Sequence, residues 1–393
     1  MFVARLELHQ FRNYAEADVR LAPGVTIFQG ANGQGKTNLV EAVEYLSRLG
    51  SHRVSTDAPL VQFGTEQAVI RAEVLAGRDD SRRLLLELEI NPGRANRARI
   101  NRAALPRTHD LLGALRTVVF SPEDLTVVKG DPAARRGFLD DLVISRWPRM
   151  LGVKQDYDKV VRQRNALLKS LLGTRPDAEA EFTIEIWDAQ LVTLGSELLA
   201  ARLDTLAELR APAAASYAAI APVNNQIDVS YRCGFELPDD PAELASTFAA
   251  SLAERRREEL ARGLTLVGPH RDDLMLSIGE LPARGYASHG ESWSLALALR
   301  LGAFDLLRAD GIEAVLILDD VFSELDATRR ERLALAARQA EQVLVTAAVA
   351  SDVPEQLSGA RFEVQAGRIT PSAGPATRPE QADVRASCRV RAP

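Results

Sequence analysis

Apolar and polar positions along the chain change period more than once, and the changes divide it into segments. The first stretch alternates as strands do, at 2–8, 24–29, 68–75 and 84–90, with 97–102 following the turn Asn91-Pro92-Gly93. Between the second and third of these, Leu39, Val43 and Leu46 fall three and four apart and predict a helix over 37–49. From Leu125 to about Gly263 the period is helical: Ile184, Trp187, Leu191, Leu194 and Leu198 keep a 3-4-3-4 spacing free of proline, and 151–171 and 243–261 repeat the theme. This reads as a helical block inserted into an α/β chain. Ser288 to Arg308 then holds no β-branched residue and is rich in Ala and Leu, which predicts a largely buried helix even though its leucines alternate by two. Residues 312–318 and 343–347 read as short buried strands joined by a helix over 326–340, and 362–370 as a closing strand pair. The last segment, 371–393, has four prolines and no periodicity, the pattern of a disordered tail.

Composition narrows the classes. Hydrophobic residues make up 46% and aromatic ones only 5%, so the core is expected to be aliphatic. No apolar run approaches the roughly 20 residues that span a bilayer, and MFVARLELHQF alternates like a strand rather than a signal peptide. The expectation is a cytoplasmic protein with no membrane partner. Cys233 and Cys388 are too few for a disulfide framework or a zinc site, and five histidines form no His-x-x-x-His pair, so any metal must be carboxylate-bound. The net charge of −6 confines a nucleic-acid site to a local patch. Within the basic residues, 43 are arginines and five are lysines, and one of the five is Lys36.

Lys36 belongs to the sharpest motif, Gly30-Ala31-Asn32-Gly33-Gln34-Gly35-Lys36-Thr37, a complete G-x-x-x-x-G-K-[ST] after the strand VTIFQ and at the start of a helix. Glycines let backbone N–H groups turn inward and the helix N-terminus adds partial positive charge, so together they cradle a nucleotide's β-phosphate region. Lys36 brings a mobile charge to the β- and γ-phosphates and Thr37 a hydroxyl to magnesium. The competing reading is a glycine-rich turn that binds nothing. Against it stands Val315-Leu316-Ile317-Leu318-Asp319-Asp320, an apolar strand ending in two carboxylates, where an α/β sheet presents its ligand groups. Neighbouring strand residues point opposite ways, so one acid can serve magnesium through water and the other the attacking water. On its own the acid pair would read equally well as a helix cap. Ser288-His289-Gly290-Glu291 forms an S-x-x-E capping box, and the same hydroxyl and N–H groups suit a γ-phosphate presented by a second molecule.

In this order, a Walker A loop, a serine-glycine helix start, strand-Asp-Asp and Ser-Glu-Leu-Asp resemble the ABC-type ATPases of the SMC and recombination-repair group. Within that group the chain is similar to the RecF family of bacterial recombination mediators. Leu8 to Tyr14 (LHQFRNY), the loop at 30–37, Phe120 to Leu125 (FSPEDL), Gly268 to Asp273 (GPHRDD) and Leu318 to Asp326 (LDDVFSELD) carry the likeness. It implies an α/β fold, an ABC-type P-loop ATPase head with an inserted helical arm domain: head at 1–125 and 263–370, arm at 126–262, tail at 371–393. It also implies an ATP-dependent homodimer. Gly30, Ala31, Asn32, Gly33, Gln34, Gly35, Lys36 and Thr37 of one protomer, with Asp319, would hold ATP and magnesium, while Ser288 and Gly290 of the other close over the γ-phosphate. Asp320 matches the family's catalytic carboxylate, Asp326 the contact across the dimer, and Arg12 and Asn13 the loop beside the cradle. Partners implied are single-stranded and gapped or junction double-stranded DNA, and RecR and RecO, in loading recombinase during repair and replication restart; the activity implied is a weak, DNA-stimulated ATPase.

Three positions depart from the pattern. Glu291 stands where the signature usually has glutamine, Trp293 where it commonly has a cation, and Thr346 where transporter ATPases carry a switch histidine, so slow hydrolysis is expected. For DNA, the segment from Ser81 to Arg107 sets seven arginines against two glutamates, partly on the hairpin around Asn91 to Asn101. Arg135-Arg136 and Arg255-Arg256-Arg257 read as solvated helix faces, and GPHRDD as structural rather than metal-binding. The alternatives are the nucleotide-binding subunit of a transporter, a small-molecule kinase, and a catalytically degenerate interaction protein. The first predicts a short gap between loop and signature, whereas the helical block lies between Thr37 and Ser288 here.

Overall fold

A computed structural model describes residues 1–77, 80, 82–174, 176–221 and 226–372. Nearly all of the tail, 373–393, Cys388 included, and Ser81 at the edge of the arginine-rich segment lie outside the described residues. Pro371 ends a strand and the Ser372 N–H donates to the Arg361 carbonyl.

Two sheets share one helix between them. The first runs Arg368–Pro371, Ala360–Gln365, Gly24–Gln29, Gln342–Ala347, Val315–Asp319, Thr117–Phe120, and is parallel except for the closing hairpin. Buried on both faces, Val315–Asp319 has no exposed position, which explains its unbroken apolar run. The second sheet is antiparallel, in the order Tyr14–Arg20, Phe2–Phe11, Ala68–Leu75, Arg83–Ile90, Arg97–Ile100, Ala103–Ala104. Helix Lys36–Arg48 packs Leu39, Val43 and Leu46 into a core with Leu8, Ile70 and Leu88 of the antiparallel sheet and Phe28, Ile317 and Leu344 of the parallel one. Only one face of the antiparallel sheet meets this core, hence its alternation. Its outer face is a ladder of ion pairs, with Arg71 to Glu87 at 2.8 Å, Arg83 to Glu73 at 2.5 Å and Arg97 to Glu89 at 3.8 Å.

On the other side of the parallel sheet, helix His289–Ala309 lies in the core with the long helix Ala178–Ile220 against it. Leu295, Leu297, Leu299 and Leu301 are all buried, so the alternation by two belongs to a helix enclosed on every side. The two helices cross closely at Gly302, where a Cβ would stand 2.7 Å from the Ala213 nitrogen. The proline-free stretch at 184–198 is only part of this helix of 43 residues, roughly 65 Å long at 1.5 Å per residue, which continues through Pro212. Toward its start, Leu191 and Leu198 pack with Tyr157 and Val161 of helix Met150–Ser170 and Phe248 and Leu252 of helix Leu244–Arg262. A fully buried Arg164 ties these elements together, reaching Asp188 and Glu259 at 2.6 Å each and the Thr265 hydroxyl at 2.9 Å.

The block from Leu125 to Gly263 is not wholly helical. Ile227–Arg232 is a strand, paired antiparallel with Asp273–Ile278, itself paired with Leu281–Pro282. Arg135 is not solvated either: it is buried and bonds Asp273 through both oxygens at 2.7 and 2.9 Å, and Arg136 donates to the Asp272 carbonyl. A helix that turns this face onto a strand needs a fork that satisfies a buried carboxylate, and arginine supplies it. Arg256 likewise pairs with Asp188, while Arg255 stays exposed beside Glu258. Asp272 and Asp273 of GPHRDD are spent in such bonds, Asp272 accepting from Tyr231 at 2.9 Å.

Candidate functional site

The parallel strand Gly24–Gln29 delivers the chain into the glycine loop. Gly30, Gly33 and Gly35 all have positive φ, at 152°, 79° and 111°. Side chains are excluded here by contact as well: a Cβ on Gly30 would meet the Val364 carbonyl oxygen at 2.2 Å, and one on Gly35 the Asn13 amide at 2.6 Å. The loop is propped from outside. Asn13 donates to the Gln34 carbonyl at 3.1 Å, the buried Tyr14 hydroxyl to the Gly35 carbonyl at 3.0 Å, and the Ala366 N–H to the Gln34 side chain at 2.7 Å. Helix Lys36–Arg48 then starts with a glycine N-cap, no side-chain cap and no acid in its first turn. Its first N–H groups are thus left for an anion.

Lys36 is 3% exposed, yet among the described residues its ammonium has only long contacts: the Ala31 carbonyl at 3.3 Å, the Asn32 amide oxygen at 3.4 Å and Asp320 at 4.0 Å. A buried cation so weakly held is built for a further negative partner. The Thr37 hydroxyl donates to Asp319 Oδ1 at 3.0 Å. A hydroxyl and a carboxylate are hard oxygen donors of the kind magnesium takes, directly or through water, so these side chains would suit that ion.

Asp319 ends strand Val315–Asp319 and Asp320 is the first residue beyond it, so strand alternation does not separate the two; Asp319 lies at Thr37 and Asp320 near Lys36. Asp320 has φ 49°, a rare conformation for a non-glycine residue that turns the chain out of the sheet. Burial pushes its carboxyl above the usual carboxylate range and the Asp319 charge adds to this, against the pull of Lys36. The Thr346 hydroxyl donates to Asp319 Oδ1 at 2.6 Å and accepts from the Asp320 N–H at 2.9 Å, so the residue at the switch position sets both acids.

Three residues absent from the motifs, His52, Glu44 and Glu41, also sit here. His52 has Nδ1 2.5 Å from Glu44 Oε2 and Nε2 3.7 Å from Asp319 Oδ2. Burial opposes its charge, but Asp319 and Glu44 hold its pKa up to about 10. Glu44 and Glu41 are acids on a helix buried on both sides, and that placement was the available signal. Glu41, fully buried, takes both ends of the Arg12 guanidinium at 2.5 and 2.9 Å, along with Ser51 at 2.5 Å. Arg12 therefore braces the cradle's flank. Beside it, Arg12, Asn13, Asn38, Arg53, Phe63 and Arg94 line a groove of about 920 Å³.

Ser288, Gly290 and Asp326 form a second cluster. Ser288 and Glu291 cap each other: the Glu291 N–H donates to the Ser288 hydroxyl at 3.2 Å and the Ser288 N–H to the Glu291 carboxylate at 2.9 Å. Asp326 caps helix Ala327–Ala337 by accepting from the Arg329 N–H at 2.9 Å. The Arg329 side chain pairs with Asp326, donates to the Ser294 hydroxyl at 2.8 Å and lies against Gly290, which links the two helix starts. Trp293, 2% exposed, points into the core, so its position does not belong to the phosphate-facing side.

A glycine loop feeding a helix, an acid pair at the end of another parallel strand of the same sheet and a capped serine-glycine helix start define an ABC-type head of the SMC class. The family model described as RecF/RecN/SMC N terminal domain matches residues 2–364. The chain is 62% identical over 385 residues to the DNA replication and repair protein RecF of Cutibacterium acnes, covering 94% of this chain and 98% of that one. To the protein of the same name from Streptomyces avermitilis it is 55% identical, covering 94% and 99%. Among solved structures, the recombination mediator protein RecF with ATP, described as part of the RecFOR pathway, superposes with a TM-score of 0.83 at 28% identity over 94% of this chain and 99% of that one. A Pyrococcus furiosus Smc head superposes at 0.52 with 16% identity over 94% and 96%, a likeness of fold. The chain belongs to the RecF family of DNA replication and repair proteins. That membership sets aside the transporter-subunit and kinase readings. Among the described residues, no helix is long and apolar enough to cross a membrane.

Proposed function

We propose that this protein is an ATP-driven clamp of the RecFOR pathway: ATP pairs two copies, the pair holds gapped or junction DNA, and slow hydrolysis releases it. The observation that carries the proposal is the buried, weakly held Lys36 beside Thr37, Asp319 and Asp320 at an uncapped helix start. In this reading the loop N–H groups and Lys36 hold the β- and γ-phosphates. Thr37 and Asp319 would hold magnesium, which supplies charge neutralisation at the phosphates. Asp320, with its raised pKa, takes a proton from the attacking water as the water oxygen bonds the γ-phosphorus and the bond from that phosphorus to the β,γ-bridging oxygen breaks. Ser288, Gly290 and Asp326 of the second copy complete the enclosure.

Weak, DNA-stimulated turnover, and work with RecR and RecO in loading recombinase, complete the reading; the likeness to a nucleotide-bound recombination mediator of the RecFOR pathway is what supports it. The test is the molar mass in solution with and without ATP, for wild type and Lys36→Met. An ATP-dependent dimer of wild type, lost in the variant, is the expected outcome. A wild type that stays monomeric at saturating ATP ends the clamp reading and favours a degenerate interaction protein.

A further inference from the structure

We infer that His52 is a positioning residue of the nucleotide site, holding the second oxygen of Asp319. Thr37 and Thr346 both donate to Oδ1 of that carboxylate, at 3.0 and 2.6 Å. Oδ2 faces His52 Nε2 at 3.7 Å. The imidazole is 92% buried by its 8% side-chain exposure, and Nε2 has no hydrogen-bond partner among the described residues. Such an orphan costs stability unless it is kept for a purpose.

The orientation of the ring is not accidental. Helix Lys36–Arg48 ends on Leu49 in the left-handed conformation, φ 53°, and the chain then brings His52 alongside Glu44 of the helix itself. Glu44, fully buried, fixes the Nδ1 edge at 2.5 Å, which leaves Nε2 aimed at the end of strand Val315–Asp319. With a carboxylate at each nitrogen, both edges of the ring are donors. Strand Gln342–Ala347 supplies a threonine, not a histidine, at the switch position, so the imidazole reaches this carboxylate from a different element. Asp319 thus has Oδ1 bound by two hydroxyl donors and Oδ2 facing a buried ring nitrogen at 3.7 Å, an arrangement that restricts its plane before a cation arrives. Groups that orient a metal ligand in this way typically change metal affinity by about 10-fold or more when removed.

The inference rests on reading Thr37 and Asp319 as the magnesium-binding pair. The experiment titrates a fluorescent ATP analogue into the full chain, first without divalent cation and then across a magnesium series, for wild type, His52→Phe and His52→Gln. Thermal melting confirms that each is folded. Phe fills the site with no donor; Gln returns an N–H near the Nε2 position.

His52→Phe is expected to leave metal-free affinity within about 2-fold of wild type and to raise the magnesium concentration for half-maximal tightening about 10-fold, with His52→Gln recovering most of the loss. If His52→Phe does not fold, His52→Asn takes its place, since it keeps a group toward Glu44 and none at Nε2. An unchanged magnesium dependence in the donor-less variant overturns the inference, as does an equal loss in both variants. No magnesium dependence in wild type instead overturns the underlying metal-site reading, and the role of His52 with it.

Discussion

The cradle at Lys36 and the face at Ser288 are both helix starts, and they are finished in opposite ways. The cradle helix has a glycine N-cap and no side-chain acceptor, and beside it an ammonium that is buried but poorly matched. The helix at Ser288 closes its own box, with Glu291 supplying the carboxylate that satisfies the Ser288 N–H. One start is poised for an anion; the other already holds its own. A serine-rich helix start is therefore weak evidence for a phosphate site until its capping is known. Here a γ-phosphate that approached Ser288 would meet Glu291 in the way, a like charge that must swing aside. In the proposed pair, the glutamate that departs from the family pattern would thus be a built-in competitor for the second half of the site.

The strongest way to break this contrast is to remove the unmatched cation. Lys36→Met is expected to weaken ATP binding by about a hundredfold or more, because the bound phosphates would lose their only buried counter-charge from the loop. Calorimetric titration checks it. If the variant binds ATP as wild type does, the cradle is not the primary site and the comparison collapses. The next largest effect belongs to Asp320→Asn: kcat should fall about a hundredfold with little change in KM, and the ATP-bound dimer should persist correspondingly longer. Single-turnover hydrolysis followed together with dimer lifetime reads both quantities. An equal fall in ATP affinity would instead make Asp320 a binding residue.

A smaller effect, opposite in direction, tests the other half. Glu291→Gln keeps a capping acceptor for the Ser288 N–H and removes the negative charge, so ATP-dependent dimerisation should tighten, by about fivefold per site and about 25-fold for the two sites of a pair if the charge is worth roughly 1 kcal/mol at a helix start. Sedimentation at several concentrations measures it. A weakened dimer would mean that Glu291 contributes to closure rather than opposing it.

Much of this was readable from the sequence because it is contiguous. The glycine loop, the strand that ends in Asp319-Asp320 and the capping box each lie within about eight residues, and local geometry fixed their form. The short strands were harder. Thr117–Phe120 has four residues and Ile227–Arg232 is half-exposed amid helices, so neither gave a period long enough to detect. Arg135 escaped for a different reason: an arginine on a helix reads as solvated until the strand opposite it is known, and that strand is paired through Asp273, far along the chain. His52 is the same problem in the site itself. Nothing in its neighbours distinguishes it, since its meaning comes from Glu44 on one side and Asp319 on the other.

The smallest predicted effect concerns DNA, and it asks whether the finished half of the molecule works alone. Counting charges between Ser81 and Arg107 overstates the patch, because Arg83 and Arg97 are already paired across the sheet with Glu73 and Glu89, and Arg107 with Asp110. Among the described residues Arg94 and Arg99 form no ion pair, and Arg94 lines the groove beside the cradle. Serine at both positions should reduce the salt dependence of DNA binding by up to about 0.9 per lost phosphate contact, whereas serine at Arg97 alone should do less, since releasing Glu89 offsets part of the change. The measurement is the slope of log affinity against log salt for a gapped duplex, with and without ATP. A reduced slope in both conditions places DNA on the single protomer; a reduction seen only with ATP makes the surface a property of the pair. If the slope is unchanged in either condition, the hairpin arginines belong to the solvated ladder of the sheet, and DNA must be held by another face.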